Sequence, residues 1–153
     1  MNKLCLDLQN ATEDDDHPPP ADFEQWISAA IGDRLDEAEL SLRIVTPEEI
    51  TSLNDRYRQQ AKATNVLSFP AELPEHIELP LLGDLVICAQ VVEQEARDQG
   101  KSSAAHWAHM VIHGTLHLLG YDHIDEAEAK IMESLEIKIL KSMNIANPYL
   151  TNH

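Results

Sequence analysis

Residues 113–123 read His-Gly-Thr-Leu-His-Leu-Leu-Gly-Tyr-Asp-His, and this stretch decides most of what the sequence predicts about fold and chemistry. His113 and His117 lie four residues apart, so on a helix their side chains leave the same face. Gly120 suits the left-handed conformation that ends a helix, after which the chain can turn back and bring His123 to the same point. We therefore predict that His113, His117 and His123 bind one metal ion at the end of a central helix.

The predicted ligands favour zinc. Three neutral imidazoles suit Zn²⁺, although copper or nickel would bind such a site at least as well in vitro. Three protein ligands leave a fourth position open for water, which is typical of a catalytic rather than a structural zinc. The alternative for any one of these histidines is an ordinary solvated or hydrogen-bonded side chain. Their combined spacing favours one bound Zn²⁺.

The segments around this stretch predict both strands and helices. Alternating or short apolar runs predict strands at residues 3–9, 40–45, 65–69 and 81–89, the last of them interrupted by Gly83 and Asp84. Helical spacing and capping residues predict helices at residues 21–31, 47–58 and 90–99, from Ser102 or Ser103 to Gly120, and at residues 125–143.

The predicted elements form one α+β domain. We expect a small mixed four-stranded sheet packed with about five helices, with the zinc site at the end of a central helix. The last helix is expected to turn Ile131, Leu135 and Ile139 inward. The sequence shows no repeat or linker, so we expect a single metal-dependent hydrolase domain over residues 1–153.

The charge balance limits the kinds of partner. The chain carries 11 basic and 27 acidic residues, a formal net charge of −16. Such a chain repels polyanions, which counts against strong non-specific nucleic-acid binding. A local positive groove remains compatible with this charge, because Arg56, Arg58 and Lys62 form a small basic island.

The sequence favours a cytoplasmic protein. It holds no apolar run long enough to cross a membrane, and its N-terminus lacks the pattern of a signal peptide, so we expect no membrane partner. Cys5 and Cys88 are far apart in sequence, and we expect two reduced, buried thiols.

The residue after the first histidine distinguishes two kinds of metal chemistry. The histidine spacing is that of the metzincin protease motif, His-Glu-x-x-His-x-x-Gly-x-x-His, in which the glutamate is the general base. Here that position is Gly114, which cannot accept a proton. The metal-binding spacing is therefore kept while the peptidase base is missing.

The sequence of residues 113–123 resembles the signature of the YbeY family of metal-dependent endoribonucleases. This family is linked to ribosomal RNA maturation and ribosome quality control in bacteria. Other blocks resemble this family in the same order between residues 40 and 123. They are Ser52-Leu53-Asn54 leading to Tyr57-Arg58, Thr64-Asn65-Val66-Leu67-Ser68-Phe69-Pro70, Leu82-Gly83-Asp84-Leu85-Val86-Ile87-Cys88, and His106-Trp107-Ala108-His109-Met110.

The resemblance implies roles for individual residues. It implies zinc held by His113, His117 and His123, and an arginine important for RNA cleavage at Arg58. A guanidinium together with a Lewis-acid metal can stabilise the charge that phosphodiester cleavage builds on the phosphate oxygens. The alternative for Arg58 is an ordinary cation near the negative end of a helix. Asp122 is a candidate hydrogen-bond partner of a ligand histidine or a proton acceptor, and its alternative is a turn-forming aspartate.

We therefore expect a zinc-dependent endoribonuclease specific for single-stranded RNA, with ribosomal RNA as substrate. The expected role is maturation of the small-subunit rRNA 3′ end and ribosome quality control, with ribosomal proteins as further candidate partners and no DNA substrate. One alternative is a metallopeptidase, which Gly114 opposes. The other is a ribosome-assembly factor with a structural zinc, which the acidic charge favours because basic ribosomal proteins would attract such a chain. The general base is not identified by the sequence.

Overall fold

A computed structural model of the chain describes residues 3–74, 79–122 and 125–149. Within these residues the chain forms one four-stranded sheet and five helices. The strands are β1 (Lys3–Asn10), β2 (Glu37–Val45), β3 (Val66–Pro70) and β4 (Leu81–Cys88). The helices are α1 (Pro20–Ile31), α2 (Pro47–Arg58), α3 (Ala89–Asp98), α4 (Ser103–Leu118) and α5 (Glu126–Ser142). The predicted mixed α+β fold is confirmed.

The sheet is mixed because one strand runs against the other three. The strand order is β1-β2-β4-β3, with β1, β2 and β4 parallel and β3 antiparallel to β4. β3 therefore lies at an edge, where its outer backbone groups are available to side chains. Parallel neighbours need crossover connections, and α1 follows β1 in this role.

The side chains of β4 point alternately to the two faces of the sheet, and each face carries its own part of the core. Leu85 and Ile87 point to the face covered by α1 and α4, where the larger apolar cluster lies. Val86 and Cys88 point to the opposite face and join a smaller cluster that includes Ile50 of α2. Helix α2 therefore lies on the side of the sheet opposite α4.

Helix α4 is the central helix of the fold. Ser102 caps it, since the Ser102 side chain accepts a hydrogen bond from the backbone N–H of Ala105 at 3.1 Å. Trp107 is fully buried and packs edge-on against Phe23 of α1 with ring centroids 5.7 Å apart. Within the described part of the chain, no helix has both the length and the apolar character needed to span a membrane.

Two sequence predictions about packing are wrong. Ile131 is 56 % exposed, because the buried row of α5 begins one residue later, at Met132. Ile139 is buried and Leu135 packs against the core as expected, and Glu136 and Leu140 complete the inward face. Cys5 is an exposed thiol, because it lies on the uncovered face of the edge strand β1, whereas Cys88 is buried as expected.

The predicted interruption of β4 is also wrong. Gly83 and Asp84 belong to the continuous strand, and the irregularity is a register shift against β2. Gly83 has φ +139°, and a Cβ there would lie 2.2 Å from the carbonyl oxygen of Phe69. Only glycine permits this conformation and this close approach of β3.

Candidate active site

A cavity of about 720 Å³ lies between the carboxyl end of α4 and the edge strand β3. It brings together residues of the basic island, of the block at residues 64–70 and of the histidine motif. Its lining residues are Arg58, Thr64, Asn65, Val66, Leu67, Ser68, Pro70, His113, His117, Gly120, Tyr121 and Asp122. The predicted site residues that the structure describes therefore lie around one cavity.

Two of the predicted metal ligands face each other in this cavity. His113 and His117 are separated by one turn of α4, and their Nε2 atoms lie 3.1 Å apart. Two nitrogens that bind one Zn²⁺ at tetrahedral geometry are about 3.3 Å apart, given Zn–N distances of about 2.0–2.1 Å. The arrangement of these two rings therefore fits a shared metal ion.

The third predicted ligand, His123, lies outside the described residues. Across residues 3–74, 79–122 and 125–149, no group of three or more His, Cys, Asp or Glu side chains is placed to hold a metal ion. The complete ligand set thus remains a prediction, to which the structure contributes the paired rings of His113 and His117.

Behind His113 lies a buried carboxylate that the sequence analysis missed. Glu136 of α5 is 1 % exposed, and its Oε2 lies 3.2 Å from Nδ1 of His113. Its Oε1 accepts a hydrogen bond from Nε2 of His109 at 2.5 Å and from the hydroxyl of Tyr149 at 2.7 Å. A carboxylate facing Nδ1 favours the imidazole form with hydrogen on that atom and leaves Nε2 as the electron donor.

The ionisation of this cluster follows from its hydrogen bonds. Burial raises the pKa of Glu136, but the hydrogen bonds from His109, His113 and Tyr149 outweigh burial and bring that pKa down to about 2. Burial and the neighbouring carboxylate raise the pKa of the Tyr149 phenol. Glu136 is therefore an anion near neutral pH, and Tyr149 remains a hydrogen-bond donor.

His109 is a packed, hydrogen-bonded histidine on α4. It is 7 % exposed, and Glu136 and Tyr149 are its partners. His106, one turn earlier, is also buried and hydrogen-bonded at 2.9 Å to Glu95. Burial lowers the pKa of His106; Glu95 opposes this change, whereas Lys101 and His109 add to it.

Arg58 reaches the cavity from the opposite side of the sheet. It is the last residue of α2, and its Nη2 donates a hydrogen bond to the backbone carbonyl of Ser68 at 2.9 Å. Ser68 belongs to the edge strand β3, whose carbonyl is available to this side chain. Arg58 is exposed and lines the cavity with the histidines, as a phosphate-binding group would.

Gly114 has a packing role that the sequence analysis did not identify. A Cβ at this position would lie 2.8 Å from Cδ2 of Leu85 and 3.2 Å from Cγ2 of Val66. The Ser68 hydroxyl also donates to the carbonyl oxygen of Gly114 at 3.0 Å. Glycine thus lets α4 lie close against β3 and β4, because a side chain at this position would require Leu85 and Val66 to shift. This close packing disfavours a larger residue at the position where the metallopeptidase alternative needs its general base.

Asp122 lies at the rim of the cavity. It is exposed, and among the lining residues that the structure describes it is the one carboxylate. The neighbouring Tyr121 is held by Arg34, whose Nε donates to the Tyr121 hydroxyl at 3.2 Å. This position is compatible with proton transfer at the cavity, the role considered for Asp122 from sequence.

Comparisons with known proteins agree with the family resemblance seen in the sequence and with the fold. The profile of the family described as endoribonuclease YbeY matches residues 7–144. The solution structure of TM1509 from Thermotoga maritima is similar in fold, with a TM-score of 0.58 and 21 % sequence identity over 91 % of each chain. At this identity the structural match supports the fold, and the family profile supports the activity class. The chain belongs to the YbeY family of endoribonucleases.

Proposed function

We propose that this protein is a zinc-dependent endoribonuclease that cleaves single-stranded RNA. Its proposed substrate is ribosomal RNA near the 3′ end of the small-subunit molecule, and its proposed role is cytoplasmic rRNA maturation and ribosome quality control. The single observation that supports a metal-dependent mechanism most strongly is the 3.1 Å separation of the His113 and His117 Nε2 atoms in a cavity that Arg58 also lines.

The proposed zinc ligands are His113, His117 and His123. When bound, the ion supplies Lewis-acid chemistry next to the scissile phosphate. Glu136 acts on the protein side of this site, because its Oε2 faces Nδ1 of His113 and keeps Nε2 directed into the cavity. The buried carboxylate also offsets part of the positive charge that a divalent cation brings.

Arg58 is the proposed anion-binding residue. Phosphodiester cleavage increases the negative charge on the non-bridging oxygens, and a guanidinium binds such oxygens through paired N–H donors. The hydrogen bond to Ser68 uses one of these donors and fixes the side chain at the cavity. The remaining N–H groups of Arg58 can turn toward a bound phosphate.

Asp122 is the proposed proton acceptor. It is the carboxylate among the described lining residues, and its exposed position gives released protons a path to solvent. The nucleophile is either a water molecule or the 2′-hydroxyl of the RNA, and both need a nearby base. Asp122→Asn should therefore lower kcat with zinc content unchanged.

The experiment that tests this function measures zinc content and cleavage of a defined single-stranded RNA for the parent, His117→Ala and Arg58→Glu. We expect His117→Ala to lose both stoichiometric zinc and cleavage. Arg58→Glu should keep zinc and lose cleavage. If Arg58→Glu lost zinc as well, Arg58 would have a structural role, and if His117→Ala cut RNA at the parental rate, the metal mechanism would be wrong.

A further inference from the structure

A pair of aromatic rings, the exposed Tyr57 and the partly buried Phe69, lies beside the cavity on the α2 side of the sheet. Tyr57 is 54 % exposed, and its ring meets that of Phe69 edge-on with centroids 5.3 Å apart. The guanidinium of Arg56 lies 5.9 Å from the Tyr57 centroid, and that of Arg58 lies 5.7 Å from the Phe69 centroid. These four residues are called the aromatic platform below.

Tyr57 differs from the other aromatic side chains of the described region. Phe23, Trp26 and Trp107 are buried in the core. Tyr149 is 43 % exposed, but its hydroxyl is bonded to Glu136. Tyr57 is the most exposed aromatic ring of the described chain, and one ring edge is already supported by Phe69. A supported ring with a free face is a surface on which another flat group can stack.

The charge around the platform suits a polyanion. Arg56, Arg58 and Lys62 provide three of the 11 basic residues of a chain with 27 acidic ones. Two carboxylates line the adjoining groove on the sheet, and both have partners. Glu49 is paired with Arg43 at 2.8 Å, and Asp84 accepts a hydrogen bond from Ser41. The ion pair with Arg43 neutralises Glu49, whereas a hydroxyl donor does not cancel the charge of a carboxylate, so Arg56 and Arg58 are the groups through which the platform would bind phosphates.

The platform is continuous with the candidate active site through the edge strand. Ser68 and Phe69 are neighbours on β3 and point to opposite faces of the sheet. Ser68 lines the cavity, whereas Phe69 supports Tyr57. Arg58 touches both sides, since it lines the cavity and lies over the Phe69 ring. A strand that binds at Arg58 and crosses the edge of β3 would next meet Tyr57.

We propose that the aromatic platform is a subsite for a nucleobase of the single-stranded RNA substrate, with the base stacked on Tyr57 and the adjacent phosphates bound by Arg56 and Arg58. This proposal rests on the proposed function, and it adds a reason for single-strand preference. A base in a duplex is already stacked and paired, whereas an unpaired base can turn its face onto an aromatic side chain.

The test compares Tyr57→Leu, Tyr57→Phe and a matched control, Ile131→Ala, which changes a residue that is 56 % exposed on α5, outside the platform and the cavity lining. Binding is measured by fluorescence anisotropy with a short 2′-O-methyl single strand whose integrity is checked on a gel, and with the corresponding duplex. Cleavage of the unmodified strand gives kcat and KM. Thermal unfolding verifies that each variant folds.

We expect Tyr57→Leu to weaken single-strand binding by about 5- to 150-fold, the range for losing one base–aromatic stack, and to raise KM more than it lowers kcat. Tyr57→Phe keeps the ring and should restore the affinity, and Ile131→Ala should bind as the parent does. Unchanged affinity in Tyr57→Leu would overturn the platform. An equal loss in Tyr57→Phe, or an equal loss for the duplex, would overturn base stacking as its basis.

The same measurements separate the platform from the proposed activity. If the parent cleaves RNA and Tyr57→Leu binds it equally well, the platform is wrong and the ribonuclease function stands. If the parent binds the single strand through Tyr57 but does not cleave it, the proposed cleavage fails and the platform stands.

Discussion

Replacing Glu136 by Gln should weaken zinc binding more than it disturbs the fold. The carboxylate accepts from three groups, with His109 and Tyr149 on Oε1 and His113 on Oε2. A glutamine has one carbonyl oxygen and one amide nitrogen, so it cannot accept on both sides. If its oxygen keeps His109 and Tyr149, its amide donates toward Nδ1 of His113. That contact favours the imidazole form with hydrogen on Nε2, the atom that faces the proposed metal.

The magnitude follows from this loss of one charge-assisted hydrogen bond. Groups that orient a metal-ligating histidine are typically worth about 10- to 100-fold in metal affinity, or about 1.4–2.7 kcal/mol. A hydrogen bond to a charged group contributes about 1.5–3 kcal/mol to stability. For a chain of this length, such a loss lowers the Tm by about 3–12 °C. Glu136→Gln should therefore fold at room temperature and bind zinc weakly.

Competition with a chromophoric zinc chelator measures the affinity, and calorimetry of the metal-free protein measures the Tm. Glu126→Gln is the matched control, because Glu126 is an exposed carboxylate in the first turn of the same helix. It should leave both quantities near their parental values. Parental zinc affinity in a folded Glu136→Gln protein would refute the idea that this carboxylate orients His113.

Three further predictions concern packing, pH and thiol reactivity. Gly114→Ala should destabilise the fold by about 1–2 kcal/mol in denaturant unfolding, because overpacking exceeds the gain in helix propensity; a more stable variant would contradict the close packing of α4. Burial lowers the pKa of His106 in the folded state, so the folded protein favours the neutral imidazole. The stabilisation that His106 provides is therefore complete above pH 6.5, the ordinary pKa of histidine, and is lost as the pH falls below that value. His106→Gln should therefore show a shallower loss of stability on acidification, and an unchanged slope would refute this assignment. Finally, Cys5 should react with a thiol reagent in the native protein, whereas Cys88, whose pKa burial raises, should react only on unfolding, as a time course with and without denaturant will show.

The sequence predicted the order of the elements well because their local signals are strong. Thr46 caps α2, and its hydroxyl accepts a hydrogen bond from the backbone N–H of Glu49. Of the two predicted starts of α4, Ser102 and Ser103, Ser102 is the cap. Proline, capping residues and apolar periodicity act over a few residues, and their meaning changes little with tertiary context.

The features that sequence reasoning missed depend on contacts between distant segments. Glu136 looked like one more acidic residue on an amphipathic helix, and only the approach of α5 to α4 shows that it is buried against His109 and His113. Gly114 was interpreted as a missing base, whereas its lack of a side chain also lets α4 lie on Leu85. A carboxylate among apolar positions four residues from an inward Met132 was a usable signal, since charged residues are rarely buried without a partner.

The central claim is that a metal held by the histidine motif is required for RNA cleavage. Its most direct test is cleavage of a defined single-stranded ribosomal RNA fragment by the same protein before and after removal of its metal, and after addition of one equivalent of zinc, with His117→Ala treated in parallel. The account predicts that removal abolishes cleavage and that zinc restores it in the parent but not in His117→Ala. Cleavage by the metal-free parent at its original rate would contradict the account.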